Sequence, residues 1–409
     1  MINKPTATTK EVSDEFGTGA PLPRAEIGLR QDDLDRDVAC ILGTPIDYAA
    51  IDSAVTAVER SVRDRRRLSF VTPNVNWLVR AYRDETARQE IINADLSLVD
   101  GAPLAALAKA LGAPVQGRVA GSDLFEALRR RPPFSRPAIR VFFFGGREGA
   151  AAAAAEAIER EDSSLRSAGF LNPGFGDIDE MSRPEIIDEI NASDSDFIVV
   201  ALGAAKGQAW IERNRDKLNA PVTAHLGAVV DFTAGSIVRA PSFVQRLGLE
   251  WAWRIKEEPS LWRRYGADAV SLAEIAWRRA APAYLALKMQ KRRGLGVIET
   301  RDNGDIAEII LKGDFERAGL AAFRAEARAA LARGRSLRLN LAEVGHIDVS
   351  FLGTLMMVRK ILQQKGLNLY LSGVSTVHRR LLTASGFSVA QDAADKNAEN
   401  AETPLAAAS

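Results

Sequence analysis

Cysteine and histidine are scarce in this 409-residue chain: Cys40 stands alone, and His225, His346 and His378 are the only imidazoles. A single thiol excludes an intramolecular disulfide and any CxxC-type metal site, and it fits a reducing compartment. With three histidines there are few candidates for imidazole catalysis, which moves the expectation toward carboxylate and arginine chemistry. Long apolar runs are missing too. Val141 to Phe144 and Phe197 to Ala205 are the longest, too short to cross a bilayer, and the N-terminus lacks a charged region followed by an apolar stretch. The expected location is cytoplasmic, with any membrane contact peripheral.

What is present is ordinary in bulk, with 46% apolar and 26% charged residues and a net charge of +1, and the length suggests two or three domains. Residues 1–36 mix Thr, Asp, Glu, Gly and Pro without apolar periodicity and read as a disordered arm. From Val38 onward short β-rich runs alternate with helical patterns. Leu68 to Thr72, Leu96 to Val99, Arg140 to Phe144, Phe197 to Leu202 and Val222 to Leu226 are near-continuous apolar runs, as expected of strands covered by helices on both faces. That pattern defines an α/β domain, Rossmann-like with a mostly parallel sheet, over residues 37–238. A second, smaller α/β pattern occupies residues 297–390, and the Ala-, Asp- and Asn-rich tail at 391–409 reads as disordered.

Between these lies a basic, tryptophan-rich segment, residues 239–293, expected as a helical appendage and linker. Four of the six tryptophans (Trp251, Trp253, Trp262 and Trp277) fall here, and Ser236 to Leu295 holds twelve Lys/Arg against five Asp/Glu. Aromatic and cationic residues interleaved without a spanning run suit a membrane surface or a phosphate-bearing ligand.

Arg239-Ala-Pro, Gly248-Leu-Glu250-Trp251 and Glu258-Pro259 to Tyr265 resemble the C-terminal signature of the WecG/TagA/CpsF glycosyltransferases. Upstream, Val71-Thr72-Pro73-Asn74, Val99-Asp100-Gly101, Arg118 to Leu124, Phe144-Gly145-Gly146 and Asp231 to Gly235 follow in that family's order. Asn340 to Gly353 and Leu381 to Phe387 resemble a STAS domain. The resemblance implies an inverting, metal-independent glycosyltransferase of cell-surface or exopolysaccharide synthesis. Its donor would be a UDP-sugar and its acceptor a polyprenyl-diphosphate-linked saccharide at the inner face of the cytoplasmic membrane. It further implies no cofactor, no nucleic acid, and a possible protein partner for the STAS domain.

Ligands of open α/β sheets bind beyond the carboxyl ends of the strands, where Thr72, Asn74 and Asp100 fall. By position alone Asp100 can be a helix cap or a general base; the resemblance assigns it the base, and it assigns Thr72 and Asn74 to donor or acceptor contacts. Arg118 can hold a diphosphate bidentately or be a surface arginine. Gly145 and Gly146 open a helix whose amides can receive phosphate or ribose, but as a dinucleotide fingerprint the run is incomplete, because Phe144 replaces the first glycine. Arg239, Arg254, Arg263 and Arg264 are expected over a diphosphate. Asp194-Ser195-Asp196 imitates a DxD metal motif but precedes a strand and reads as a solvated turn.

One departure from the family pattern falls at Gly203 to Trp210. The family continues Gly-x-Pro-Lys-Gln-Glu; here Lys206 holds its place, Gly207 stands at the glutamine and Gln208 at the glutamate. The missing amide leaves three outcomes open: altered donor choice, substitution by Gln208, or lost activity. A catalytically silent scaffold that binds nucleotide sugar or lipid-linked glycan is the rival reading. A Rossmann oxidoreductase is a third, disfavoured by the broken glycine run. In the second domain Ser350 matches the serine phosphorylated in many STAS domains, with an N-cap role as the structural alternative.

Overall fold

The computed structural model describes residues 8–11, 32–131, 137–161, 163–241, 244, 249–303 and 306–388. Tertiary contacts divide the chain into two units, residues 24–280 and residues 281–409 together with 1–23.

The first unit is built on six parallel strands: β4 (Leu68–Val71), β5 (Leu96–Ser97), β6 (Ile139–Gly145), β7 (Leu165–Leu171), β8 (Phe197–Ala201) and β9 (Val222–His225). Their order across the sheet is β5-β4-β9-β8-β6-β7, every pairing parallel. The uninterrupted apolar runs have a direct cause here. Along β6, Val141 and Phe143 enter one core with Ala54, Val58, Phe125 and Val230, while Phe142 and Phe144 enter another with Ile187, Trp210 and Ile211 on the opposite face. A strand buried on both faces has no solvent side to encode.

Because the sheet is parallel, the segments following β4, β5, β6, β8 and β9 all emerge at one edge. Val38 to Leu42 does not join this sheet. Val38–Ile41 and Thr44–Asp47, β2 and β3, form a separate antiparallel hairpin, turned by Leu42 and Gly43, both with positive φ, as a tight hairpin turn requires.

The arm expected to be disordered is structured in part. Arg36 is buried, donating to Asp47 at 2.7 and 3.2 Å and to the carbonyl of Ala94 at 2.8 Å. Asp47 also accepts the amide of Ser97 at 2.7 Å, so the pair clamps the hairpin onto the start of β5. Thr8–Glu11, β1, pairs antiparallel with β10 (Val297–Asn303) of the second unit. The rest of residues 1–36 and the tail 391–409 lie outside the described residues.

The second unit is a five-stranded sheet, β1-β10-β11-β12-β13, with β11 (Ile306–Phe315), β12 (Ser336–Ile347) and β13 (Leu369–Ser372) mutually parallel. Helices Leu320–Ala332, Val349–Gln364 and Thr376–Ala384 accompany it, and Ala281–Met289, expected as part of the appendage, belongs to this unit.

Candidate active site

Thr72, Asn74 and Asp100 come together at the carboxyl edge. The Asp100 amide donates to the carbonyl of Pro73 at 2.8 Å, which ties the loop after β5 to the loop after β4. Asn74 caps the helix Val75–Arg83, its side-chain oxygen accepting the amides of Asn76 and Trp77 at 3.1 and 3.3 Å. Asp100 is not a cap: the N-cap of Ala102–Ala110 is Gly101, in a left-handed conformation at φ 85°. Thr72 is buried beside Gly121, where an added Cβ would clash with the side chain of Leu226 and lie in ordinary contact, 3.4 Å, with the Thr72 methyl and hydroxyl. Glycine at 121 therefore lets the helix Gly121–Arg129 start against Leu226, beside the β4 loop.

Burial pushes the Asp100 carboxyl up to about 6; Arg118 opposes the shift, Asp123 adds to it, and the Gly101 amide and Arg254 oppose it further. Desolvation outweighs the attraction of the two arginines. The group is thus a carboxylate at neutral pH with a proton affinity suited to general base catalysis.

The cations around it are engaged. Arg118 donates to Asp123 at 3.0 Å and is also gripped by Glu250. Asp123 in turn binds Arg239, which reaches Ser122 at 3.3 Å. Arg147, in the loop after β6, pairs with Glu258 at 3.1 Å. Helix Glu250–Glu257 therefore meets the carboxyl edge through carboxylates at both ends, with Arg254 between them over the ring of Phe232 at 5.9 Å.

Sequence reasoning missed three participants: Asp123, Glu250 and Asp231. Burial raises the Asp231 carboxyl, with Arg147 and Arg254 opposing, and its Oδ1 is buried with no hydrogen-bond partner among the described residues. Arg254 thus acts on both Asp100 and Asp231. All three lie inside family-like segments, which was the available signal.

Other expected residues fall elsewhere. The amide of Gly146 is consumed by the carbonyl of Ala201 at 2.9 Å, and Gly145 adopts φ 90° against Ala201 and Leu202, so the pair shapes the turn from β6 toward the helix Ala150–Arg160 and leaves Gly146 no amide for phosphate. Lys206 donates to the carbonyl of Gly176 at 2.6 Å, and Gln208 is fully buried. Arg263 and Arg264 are exposed, over the rings of Trp262 and Tyr265 at 5.7 and 5.4 Å. Asp194 and Asp196 lie at the amino edge, paired with Arg140 and Arg65. Gly248 lies outside the described residues. In the second unit Ser350 is 1% exposed and hydrogen-bonded to Asp348. The cap is Asp348, which accepts the amide of Phe351 at 2.8 Å. A hydroxyl so placed is closed to a kinase unless the helix start opens.

At the carboxyl edge of this doubly covered parallel sheet a desolvated carboxylate thus stands within the influence of Arg118 and Arg254, an arrangement able to serve group transfer. Residues 39–285 match the Glycosyl transferase WecG/TagA/CpsF family, and residues 298–389 match the Mlab, STAS domain family. The chain belongs to the WecG/TagA/CpsF glycosyltransferases and carries a C-terminal STAS domain. It is 31% identical over 215 residues, 52% of this chain and 81% of the relative, to an N-acetylglucosaminyldiphosphoundecaprenol N-acetyl-beta-D-mannosaminyltransferase of Bacillus spizizenii (strain ATCC 23059 / NRRL B-14472 / W23). A protein of the same name from Bacillus subtilis (strain 168) is 25% identical over 197 residues, 48% of this chain and 73% of the relative.

Proposed function

We propose that the enzyme transfers a sugar, with inversion, from a UDP-sugar to a polyprenyl-diphosphate-linked saccharide in the synthesis of a surface polysaccharide. The observation that carries this is Asp100, a carboxyl held near 6 beside Arg118 and Arg254. As the acceptor hydroxyl oxygen forms its bond to the anomeric carbon, Asp100 takes the proton, and the bond from that carbon to the diphosphate oxygen breaks on the opposite side. The leaving UDP departs with the electron pair, its charge met by Arg118, Arg239 and Arg254. The arginines support a transfer that needs no metal ion.

No described helix is long and apolar enough to cross a membrane. Trp251, Trp262 and Trp277 are 48%, 60% and 79% exposed on basic helices, which supports peripheral contact with the cytoplasmic membrane where the lipid-linked acceptor resides. The STAS domain would recruit or regulate the enzyme through a protein partner. The silent-scaffold reading draws on Gly207 and on the occupied state of Arg118. Purified protein incubated in EDTA with UDP-N-acetylmannosamine and a short-chain prenyl-diphosphate-linked N-acetylglucosamine should form the disaccharide lipid. Binding without turnover for every UDP-sugar tried would leave the scaffold instead.

A further inference from the structure

A cavity of about 270 Å³ lies between the helices Gly121–Arg129 and Gly227–Thr233, and the transfer mechanism above touches it only through Arg239. Both helices start at the carboxyl edge, the first beside Thr72 and Leu226, the second directly after β9. The lining runs from Ser122, in the first turn of Gly121–Arg129, to Arg129 and Arg130 at its end. That is about 10 Å of helix at 1.5 Å per residue. The cavity therefore leads away from the edge where Asp100 stands.

Its chemistry changes along that length. Phe125, Val229, Phe232 and Ile237 form an apolar wall. At the far end Arg129 and Arg130 are balanced by Glu161 and Glu126, at 2.7 and 2.5 Å. At the near end Arg239 lines the cavity with its side chain 26% exposed. Its bonds to Ser122 and Asp123 both run from Nη2, which leaves Nη1 of the fork for an outside acceptor. Asp100 feels Asp123 and Arg254; Asp123 binds Arg239, and Arg254 lies over the ring of Phe232 at 5.9 Å. Outward from the base, arginines thus come first and the apolar recess next. An acceptor built as sugar, diphosphate and hydrocarbon has the same order, and the relatives are named for one, N-acetylglucosaminyldiphosphoundecaprenol. Size agrees: small-molecule pockets span roughly 300–1,000 Å³, so this one is too small for a nucleotide sugar and suits the first part of a chain.

We propose that this cavity binds the lipid side of the acceptor: Arg239 and Arg254 meet its diphosphate, and Phe125, Val229, Phe232 and Ile237 enclose the first isoprenoid carbons of its chain. The proposal rests on the glycosyl-transfer reading above and deepens it. Arg239 then serves the acceptor's diphosphate as well as the departing one. Trp253 Nε1 donates to the carbonyl of Val238 at 3.1 Å, between Ile237 and Arg239, so the helix Glu250–Glu257 is tied to the segment that walls the cavity. The exposed Trp251 sits on that same helix.

The full chain is titrated by calorimetry, with and without UDP, using farnesyl diphosphate, inorganic diphosphate and a short-chain phosphatidylglycerol. Ile237 is partly exposed, so Ile237→Trp fills the recess without entering a closed core, and Arg239→Gln reads the same site without adding bulk. Farnesyl diphosphate should bind at least about tenfold more tightly than inorganic diphosphate, and Ile237→Trp should erase that advantage while UDP binding stays within about twofold. Arg239→Gln should weaken farnesyl diphosphate roughly 10- to 100-fold. Equal affinity for the two diphosphates, no loss in either variant, or equally tight binding of phosphatidylglycerol overturns the proposal. If wild type makes the disaccharide lipid but Ile237→Trp leaves the KM for the short-chain acceptor unchanged, the transfer reading stands and this one falls. If wild type transfers nothing yet Ile237→Trp loses farnesyl diphosphate, the cavity's assignment as a prenyl-diphosphate site stands and the transfer reading falls.

Discussion

Glu250 holds the guanidinium of Arg118, the same group that donates to Asp123 at 3.0 Å. On the proposed reading a diphosphate would compete with the Glu250 carboxylate for this one cation, the resident anion being supplied by the appendage. Glu250→Gln removes the competing charge. With a partly exposed pair worth about 1 kcal/mol, UDP should bind roughly fivefold more tightly to the variant, read by calorimetry at low salt. Weaker binding would mean that Glu250 positions Arg118 for the ligand.

Asp100 binds its proton more tightly in the folded state than in an unfolded chain, about 6 against 3.8. Between those values the native state holds more protons than the unfolded one, so folding stability from this group falls as pH rises through that window and stays low above it. Asp100→Asn should accordingly raise the melting temperature at pH 8 while leaving it little changed at pH 4. At about 1.36 kcal/mol per pH unit the gain has an upper limit of about 3 kcal/mol. Equal stabilisation at both pH values would contradict this origin.

The buried Arg36–Asp47 pair makes residue 36 part of the fold. Arg36→Met removes the buried countercharge of Asp47 and should cost about 3–5 kcal/mol, measured by urea unfolding. A loss under about 1 kcal/mol would show that the hairpin is not anchored there.

Ser350, enclosed at the start of its helix and bonded to Asp348, should resist phosphorylation in the folded protein. Ser350→Asp places a second carboxylate beside Asp348 in a buried site and should destabilise the C-terminal unit by about 3 kcal/mol, whereas Ser350→Ala loses about one hydrogen bond, roughly 1 kcal/mol. Thermal melts of the two variants separate these cases; stoichiometric labelling of native protein by a kinase would refute the closed site.

The parallel sheet was legible because both faces of each strand are buried, so β6 and β8 announce themselves as unbroken apolar runs. Thr72, Asn74 and Asp100 were legible as strand-end residues, since a parallel sheet necessarily collects them at one edge. Pairings across long separations were not. Arg118 meets Glu250 across 132 positions and Arg239 meets Asp123 across 116, and nothing local in sequence encodes such partners. For the same reason Arg36 read as part of a polar arm: its partner Asp47 is near in sequence, but the burial of both depends on Ala94 and Ser97. Gly207 was visible as a glycine where the motif has glutamine, while the ring of His225 that a side chain there would strike lies on β9.

The role of Asp100 is tested most directly by the pH dependence of kcat/KM for sugar transfer in EDTA, wild type beside Asp100→Asn. The wild-type profile should rise through a single ionisation near pH 6 to a plateau above pH 7, because the base acts only when ionised, and the variant should be at least about 100-fold slower with that inflection gone. Wild-type turnover in Asp100→Asn, or a profile flat through pH 6, would contradict the account.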